Sequence, residues 1–121
     1  MRGVPDVAYN SSSHTGVLTY DAEEGGWFIV GGTSAASPQW AGLLALADAM
    51  STHGDLGYIN PALYQIFNGP NYHTDFYDVT KNCNQTSPIP GWCASPGWDA
   101  VTGIGTPDAG KLIPDLIAAT S

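Results

Sequence analysis

At 121 residues the chain is one domain or part of one. Eleven acidic side chains against three basic ones give a formal net charge of −8, which repels phosphate and makes nucleic acid and anionic membranes poor partners. Only 12% of residues are charged, so few groups change charge in acid, and no apolar run reaches the ~18 residues of a membrane span.

Residues 2–10 (RGVPDVAYN) predict a short extended segment that enters a polar turn, Asn10 to Thr15. The N-terminus is not an apolar leader, so export would require a signal on a longer precursor. Val17 to Tyr20 and Trp27 to Val30 are β-branched and aromatic runs. They flank the turn-rich stretch Asp21 to Gly26, which predicts a hairpin with Glu23 and Glu24 as solvated tip residues. Gly31-Gly32 ends the second strand. A helix begins at Thr33 or Ser34, carries Pro38 near its first turn, and stops at His53-Gly54. Its stretch Trp40 to Ala47 is apolar on all sides, which predicts burial on most faces. The few short strands here cannot cover such a helix, so the chain reads as part of a larger fold. Asn60 as N-cap and Pro61 at the first helical position predict a short helix to Phe67. Residues 68–105 are loop-dominated. Thr106-Pro107-Asp108 opens a last amphipathic helix with Leu112, Ile113, Leu116 and Ile117 on one face, bent or split by Pro114.

Cys83 and Cys93 lie in a loop rich in Gly, Pro and Asn. They are either free thiols or a disulfide, and the disulfide would contribute about 2–3 kcal/mol and imply an oxidising compartment. Asn10-Ser11-Ser12 and Asn84-Gln85-Thr86 both fit the glycosylation sequon.

A strand, two glycines, Thr33-Ser34 and a buried helix are informative together. A serine at a helix N-terminus lies in the positive end of the macrodipole, and its N–H is a free donor suited to a developing oxyanion. Taken alone, Thr-Ser before a helix reads as an N-cap rather than a nucleophile. The string Gly32-Thr33-Ser34-Ala35-Ala36-Ser37-Pro38 resembles the serine motif of subtilisin-like peptidases, shared by subtilisins and sedolisins (serine-carboxyl peptidases). Val4 to Ala8 also resembles the segment preceding the serine in both. The stretches Gly57 to Tyr64, Phe76 to Thr80 and Pro96 to Pro107 then resemble, in order, the sedolisin C-terminal region, a tail subtilisins lack. The flanking cysteines are similar to the tripeptidyl-peptidase branch.

This resemblance implies an α/β, subtilisin-like three-layer fold, of which the chain is the C-terminal portion. Its parts are strands (1–32), the nucleophile helix (33–53), a short helix (60–67), a calcium loop (75–105) and a C-terminal helix (106–119). It implies a secreted serine peptidase of endopeptidase or tripeptidyl-peptidase type, acting on peptides through Ser34. It also implies one Ca²⁺ held by Asp78, the carbonyls of Val79, Ser95 and Gly97, and Asp99. Two carboxylates and several carbonyls are a donor set a hard cation accepts. Ser95 departs from the family's usual glycine. Asp75 is the spare carboxylate, expected as a turn residue or as a neighbour of the site.

The resemblance also implies what is absent. The family's base is a glutamate hydrogen-bonded to an aspartate, and a further aspartate serves the oxyanion; all lie upstream of the residues seen here. His14, His53 and His73 have no base-like setting, and Asp48 is about four turns along the helix from Ser34. The isolated chain is therefore expected to be inactive without that N-terminal part. Two other readings remain open, a non-catalytic calcium-stabilised binding module and a subtilisin-like peptidase with a histidine base.

Overall fold

The structure is a computed structural model and describes residues 3–121, so Met1 and the start of the expected extended segment at Arg2 lie outside the described residues. Strands β1 (Val17–Asp21) and β2 (Gly26–Val30) form the expected hairpin, with Val17 opposite Val30 and Asp21 opposite Gly26. Residues 3–15 form no strand, although Ala8 N–H donates to Gly105 and Ile104 N–H to Asp6, each at 2.9 Å.

Helix α1 (Thr33–Met50) starts where expected but is capped differently. Gly32 is the N-cap, and no side chain caps the helix, so neither Thr33 nor Ser34 plays that part. The helix also stops three residues short of His53. Ser51 turns extended, and its N–H closes the last turn on Ala47 and Asp48. Pro38 sits one turn further in than a first-turn proline. It has no N–H, which leaves the Ser34 carbonyl without its helical donor.

Helix α2 (Asn60–Phe67) matches its expected span, but Ile59 is the N-cap and Asn60 lies inside the helix. The supposed loop then holds a single helical turn, α3 (Tyr72–Asp75), followed by β3 (Phe76–Tyr77). Strand β3 pairs antiparallel with β4 (Thr106–Pro107). Thr106 and Pro107 are therefore strand residues, and α4 (Ala109–Thr120) begins after them, with the Asp108 carboxylate accepting from Gly110 N–H at 3.1 Å. Pro114 does not split α4. The carbonyl it leaves unbonded belongs to Gly110, which is exposed and can be hydrated.

The core lies where α1, α2 and α4 meet. Trp40, Leu43 and Ala47 pack with Ala62, Leu63 and Ile66 and with Leu112, Ile113 and Leu116, and Tyr72, Phe76 and Ile104 close one end. Within this chain α1 is buried on one side only, in keeping with the shortage of strands to cover it. Ala41, Gly42, Ala45, Leu46, Ala49 and Met50 are exposed, with Leu46 and Met50 each 60% accessible. The hairpin likewise exposes Leu18, Tyr20, Trp27 and Ile29. The molecule is thus a small α/β unit with two separate two-stranded sheets; among the described residues there is no parallel sheet over the second face of α1.

Candidate active site and cation loop

Ser34 is the second residue of α1 and is exposed. Gly32 presents it. Gly32 has φ 77° and ψ 177°, a combination essentially restricted to glycine. Gly31 packs so closely that a Cβ there would lie 2.7 Å from the Ser13 backbone. Gly32 N–H donates to the Ser11 carbonyl at 2.6 Å, which pins the entry to the helix. Ala35 and Ala36 N–H turn back to the Gly32 carbonyl, at 3.0 and 3.4 Å. The N–H groups of Thr33 and Ser34 have no helical acceptor, as in any first turn.

A cleft of about 470 Å³ runs between the Pro5 to Ser11 segment and the first two turns of α1, and Ser34 itself is not among its lining residues. Thr33 and Ser37 line it from the helix, and Val101 and Thr102 line its far wall. Trp40 Nε1 donates to the Ala8 carbonyl at 3.0 Å and fixes the near wall. Among the described residues no acidic or histidine side chain hydrogen-bonds the Ser34 hydroxyl.

Of the expected cation ligands, hydrogen bonds join Asp78 to Gly97 and Asp99 to Ser95. Gly97 N–H donates to Asp78 Oδ2 at 2.8 Å. Asp78 Oδ1 is buried and has no donor. Tyr72, whose phenol neighbours Asp78, donates its hydroxyl proton to the Ile104 carbonyl at 3.0 Å. Burial first, and then the Asp78 charge, push the Tyr72 pKa up to about 12. Asp99 is 5% exposed. Its Oδ1 accepts from Val101 and Thr102 N–H, both at 2.8 Å, and its Oδ2 from Ser95 N–H and Thr102 Oγ1, both at 3.1 Å. Burial alone would raise the Asp99 pKa, but these donors outweigh it and hold the carboxyl below its ordinary range.

The carbonyls of Val79, Ser95 and Gly97 accept no hydrogen bond among the described residues. Asp78 Oδ1 is thus a buried carboxylate oxygen open to a hard cation, whereas protein donors already fill the four acceptor positions of Asp99, which a cation would have to displace. Among the described residues no group of three acidic, histidine or cysteine side chains converges, so backbone oxygens would have to complete the shell. Serine at position 95 is no obstacle, since Asn82 is the only described non-glycine residue with positive φ.

No protein-family model matches the chain. Individual relatives do. The chain is 37% identical over 122 residues to kumamolisin from Bacillus sp. (strain MN-32), covering 99% of this chain and 20% of that protein. It is 41% identical over 133 residues to tripeptidyl-peptidase sed4 of Aspergillus fumigatus, covering 92% of this chain and 21% of the relative. It is 31% identical over 129 residues to tripeptidyl-peptidase 1 of Homo sapiens, covering 93% and 22% respectively. The chain belongs to the sedolisin family.

This sedolisin chain spans about a fifth of the length of the relatives it matches, and the match is to their C-terminal part. Its cysteines form the disulfide left open by the sequence, Cys83–Cys93, at the base of a small exposed hairpin. No helix among the described residues is long and apolar enough to cross a membrane.

Two site features escaped the sequence reading. One is Asp6. Its carboxylate accepts from Asn60 Nδ2 at 2.9 Å and from Tyr64 hydroxyl at 2.8 Å, so α2 holds the strand-like segment that walls the cleft. Asn60 read as a cap because its side chain is a common cap acceptor; here its amide donates instead. The other is Asp75, which is neither a surface turn residue nor a partner of the loop carboxylates. It ends α3, is 1% exposed, and leaves Oδ2 without a donor.

The cleft and the cation loop are also continuous. Val101 and Thr102, the far wall of the cleft, are the residues whose N–H groups Asp99 holds.

Proposed function

We propose that this chain is the nucleophile-bearing part of a secreted serine peptidase, in which Ser34 attacks the scissile carbonyl of a peptide. The observation that carries this reading is the presentation of an exposed serine at the start of α1 by Gly31-Gly32, next to Thr33, which lines the cleft. The Ser34 N–H is free to donate to the oxyanion that forms as Oγ adds to the carbonyl carbon, and the α1 dipole favours that charge. A serine hydroxyl needs a base. Because the described residues supply none, the base comes from a preceding segment; the family resemblance implies a glutamate–aspartate pair there. The same segment, in a subtilisin-like three-layer fold, would cover the exposed faces of α1 and the hairpin.

Asp78, the carbonyls of Val79, Ser95 and Gly97, and Asp99 would hold one Ca²⁺, which when bound neutralises the two carboxylates and ties residues 78–79 to the 95–99 loop. Asp99 in turn orders Val101 and Thr102, so the loop's role in the reaction is to keep the far wall of the substrate cleft in place. The disulfide supports passage through an oxidising compartment and fits an extracellular protein.

The test is peptide hydrolysis by the protein joined to its upstream segment, by the chain of 121 residues alone, and by the joined protein carrying Ser34→Ala. Hydrolysis is expected only in the first. Activity of the isolated chain that disappears with Ser34→Ala would sink the assignment of the base to another segment. A pH profile separates the remaining readings: a carboxylate base gives activity in acid, a histidine base gives it near or above neutrality.

A further inference from the structure

The two sequons occupy different settings. Asn10 lies against the nucleophile helix. Its Nδ2 donates to the Thr15 carbonyl, and its Oδ1 accepts from Ser12 N–H at 3.3 Å and Thr15 Oγ1 at 3.1 Å. Its own carbonyl accepts from Gln39 of α1 at 3.4 Å, and the next residue, Ser11, both lines the cleft and receives Gly32 N–H. The Asn10 carboxamide is thus engaged at both ends, and a glycan there would stand next to Ser11, a residue of the cleft wall.

Asn84 is the opposite case. It sits directly after Cys83 in the disulfide-closed hairpin, where every residue from 80 to 90 is exposed. Asn84 N–H donates to the Trp92 carbonyl at 3.0 Å, and Trp92 N–H donates back to Asn84 Oδ1 at 2.8 Å. The carboxamide oxygen is therefore held against the hairpin while Nδ2 has no partner among the described residues. Gly91 makes this possible, since a Cβ there would lie 2.6 Å from Asn84 Oδ1. Across the hairpin Trp92 is 68% exposed. Thr86, the sequon hydroxyl residue, is exposed and holds the hairpin tip through paired backbone bonds with Ile89.

We propose that Asn84, and not Asn10, is an N-glycosylation site, and that the first sugar of the glycan lies over the Trp92 indole. In the transfer, Asn84 Nδ2 loses one proton and bonds to the anomeric carbon of an oligosaccharide carried on a lipid pyrophosphate. The bond from that carbon to the pyrophosphate oxygen breaks, and the lipid pyrophosphate leaves. The remaining Nδ2–H and the Oδ1 contact to Trp92 N–H survive the modification. The apolar face of a pyranose suits the exposed indole as it suits aromatic side chains in sugar sites generally.

The test is peptide mapping of the full-length protein made in a secreting eukaryotic cell, with glycans released by an amidase in heavy-oxygen water so that each formerly glycosylated Asn is marked as Asp. Nearly complete marking at Asn84 and none at Asn10 is expected. Thr86→Ala, which removes the sequon but keeps Asn84 and the backbone pairing at the tip, abolishes the mark. Trp92→Ala leaves the glycan attached and makes it more readily released by amidase from the folded protein. An unmarked Asn84, or a mark on Asn10, overturns the site. A release rate unchanged by Trp92→Ala overturns the stacking. The mapping uses the unmutated protein, so a variant that fails to fold does not obscure the outcome.

Discussion

Replacing Asp75 by asparagine removes one ionisable group from the contact between α3 and α4 and leaves the side-chain shape nearly unchanged. Asp75 is 1% exposed, and its Oδ2 finds no donor. Its backbone carbonyl accepts from Asp108 N–H at 2.7 Å, a bond the substitution keeps. From α4 the facing carboxyl is Asp115, whose Oδ2 accepts from Asn71 Nδ2 at 2.6 Å; Asp108 stands beyond it. The other charged side chain of α4, Lys111, is exposed, as is His73 on α3, and α2 carries no charged side chain. Burial first, and then the charges of Asp115 and Asp108, raise the Asp75 pKa from 3.8 to about 6.

The direction of the pH effect follows from that rise. A carboxyl whose pKa is higher folded than unfolded binds its proton more tightly in the native state. Its stabilising contribution is full below the unfolded value and is lost as pH climbs through about 6. The interval corresponds to about 3 kcal/mol. Asparagine resembles the protonated form at every pH and can donate to Asp115. The expected outcome is that Asp75→Asn leaves stability near about pH 4 almost unchanged and raises it near about pH 7 by about 1–3 kcal/mol. Urea unfolding of the full-length protein at several pH values measures this. An equal loss of stability at both ends of the range would show that Asp75 is ionised and paired, and would refute the reasoning.

Gly32→Ala introduces a methyl that meets only the Ser34 backbone nitrogen, at 3.9 Å, but forces a left-handed φ of 77°, so it should cost about 1–3 kcal/mol and lower peptidase turnover together, read by denaturation and by hydrolysis rates. If a cation binds the 78–99 loop, chelator should lower the melting temperature of the protein and Asp78→Ala should abolish that sensitivity; an unchanged melting curve in chelator would remove the site. Replacing both Cys83 and Cys93 by serine should cost about 2–3 kcal/mol in chemical denaturation, and reductant should cost the parent protein a similar amount while leaving the double variant unaffected.

Much of the local structure was legible in the sequence because its causes are local. Alternating β-branched and aromatic residues around a glycine-ended turn make the hairpin, and Pro61 within the first turn starts α2 at its expected place. The apolar run from Trp40 to Ala47 makes a helix, and Gly31-Gly32 delivers Ser34 to its first turn. The end of that helix was not legible. His53-Gly54 is an ordinary stop signal, yet Ser51 goes extended first, and Asp48 Oδ1 then accepts from Leu56 N–H at 2.8 Å, a bond that draws the following loop back along the helix.

Residue identity and order determined the serine motif, the family and the pair of aspartates in the loop, since each rests on side-chain chemistry at short spacing. Tertiary structure alone decided three things. It paired Phe76-Tyr77 with Thr106-Pro107, burying Asp75 against α4 where composition suggested a surface turn. It set Asp6 against Asn60 and Tyr64, so that one segment joins the cleft to α2. It also decided which side of α1 the rest of this chain covers, that of Trp40, Leu43 and Ala47. Periodicity reports which residues prefer to be buried. Which neighbours bury them depends on contacts between segments far apart in the chain.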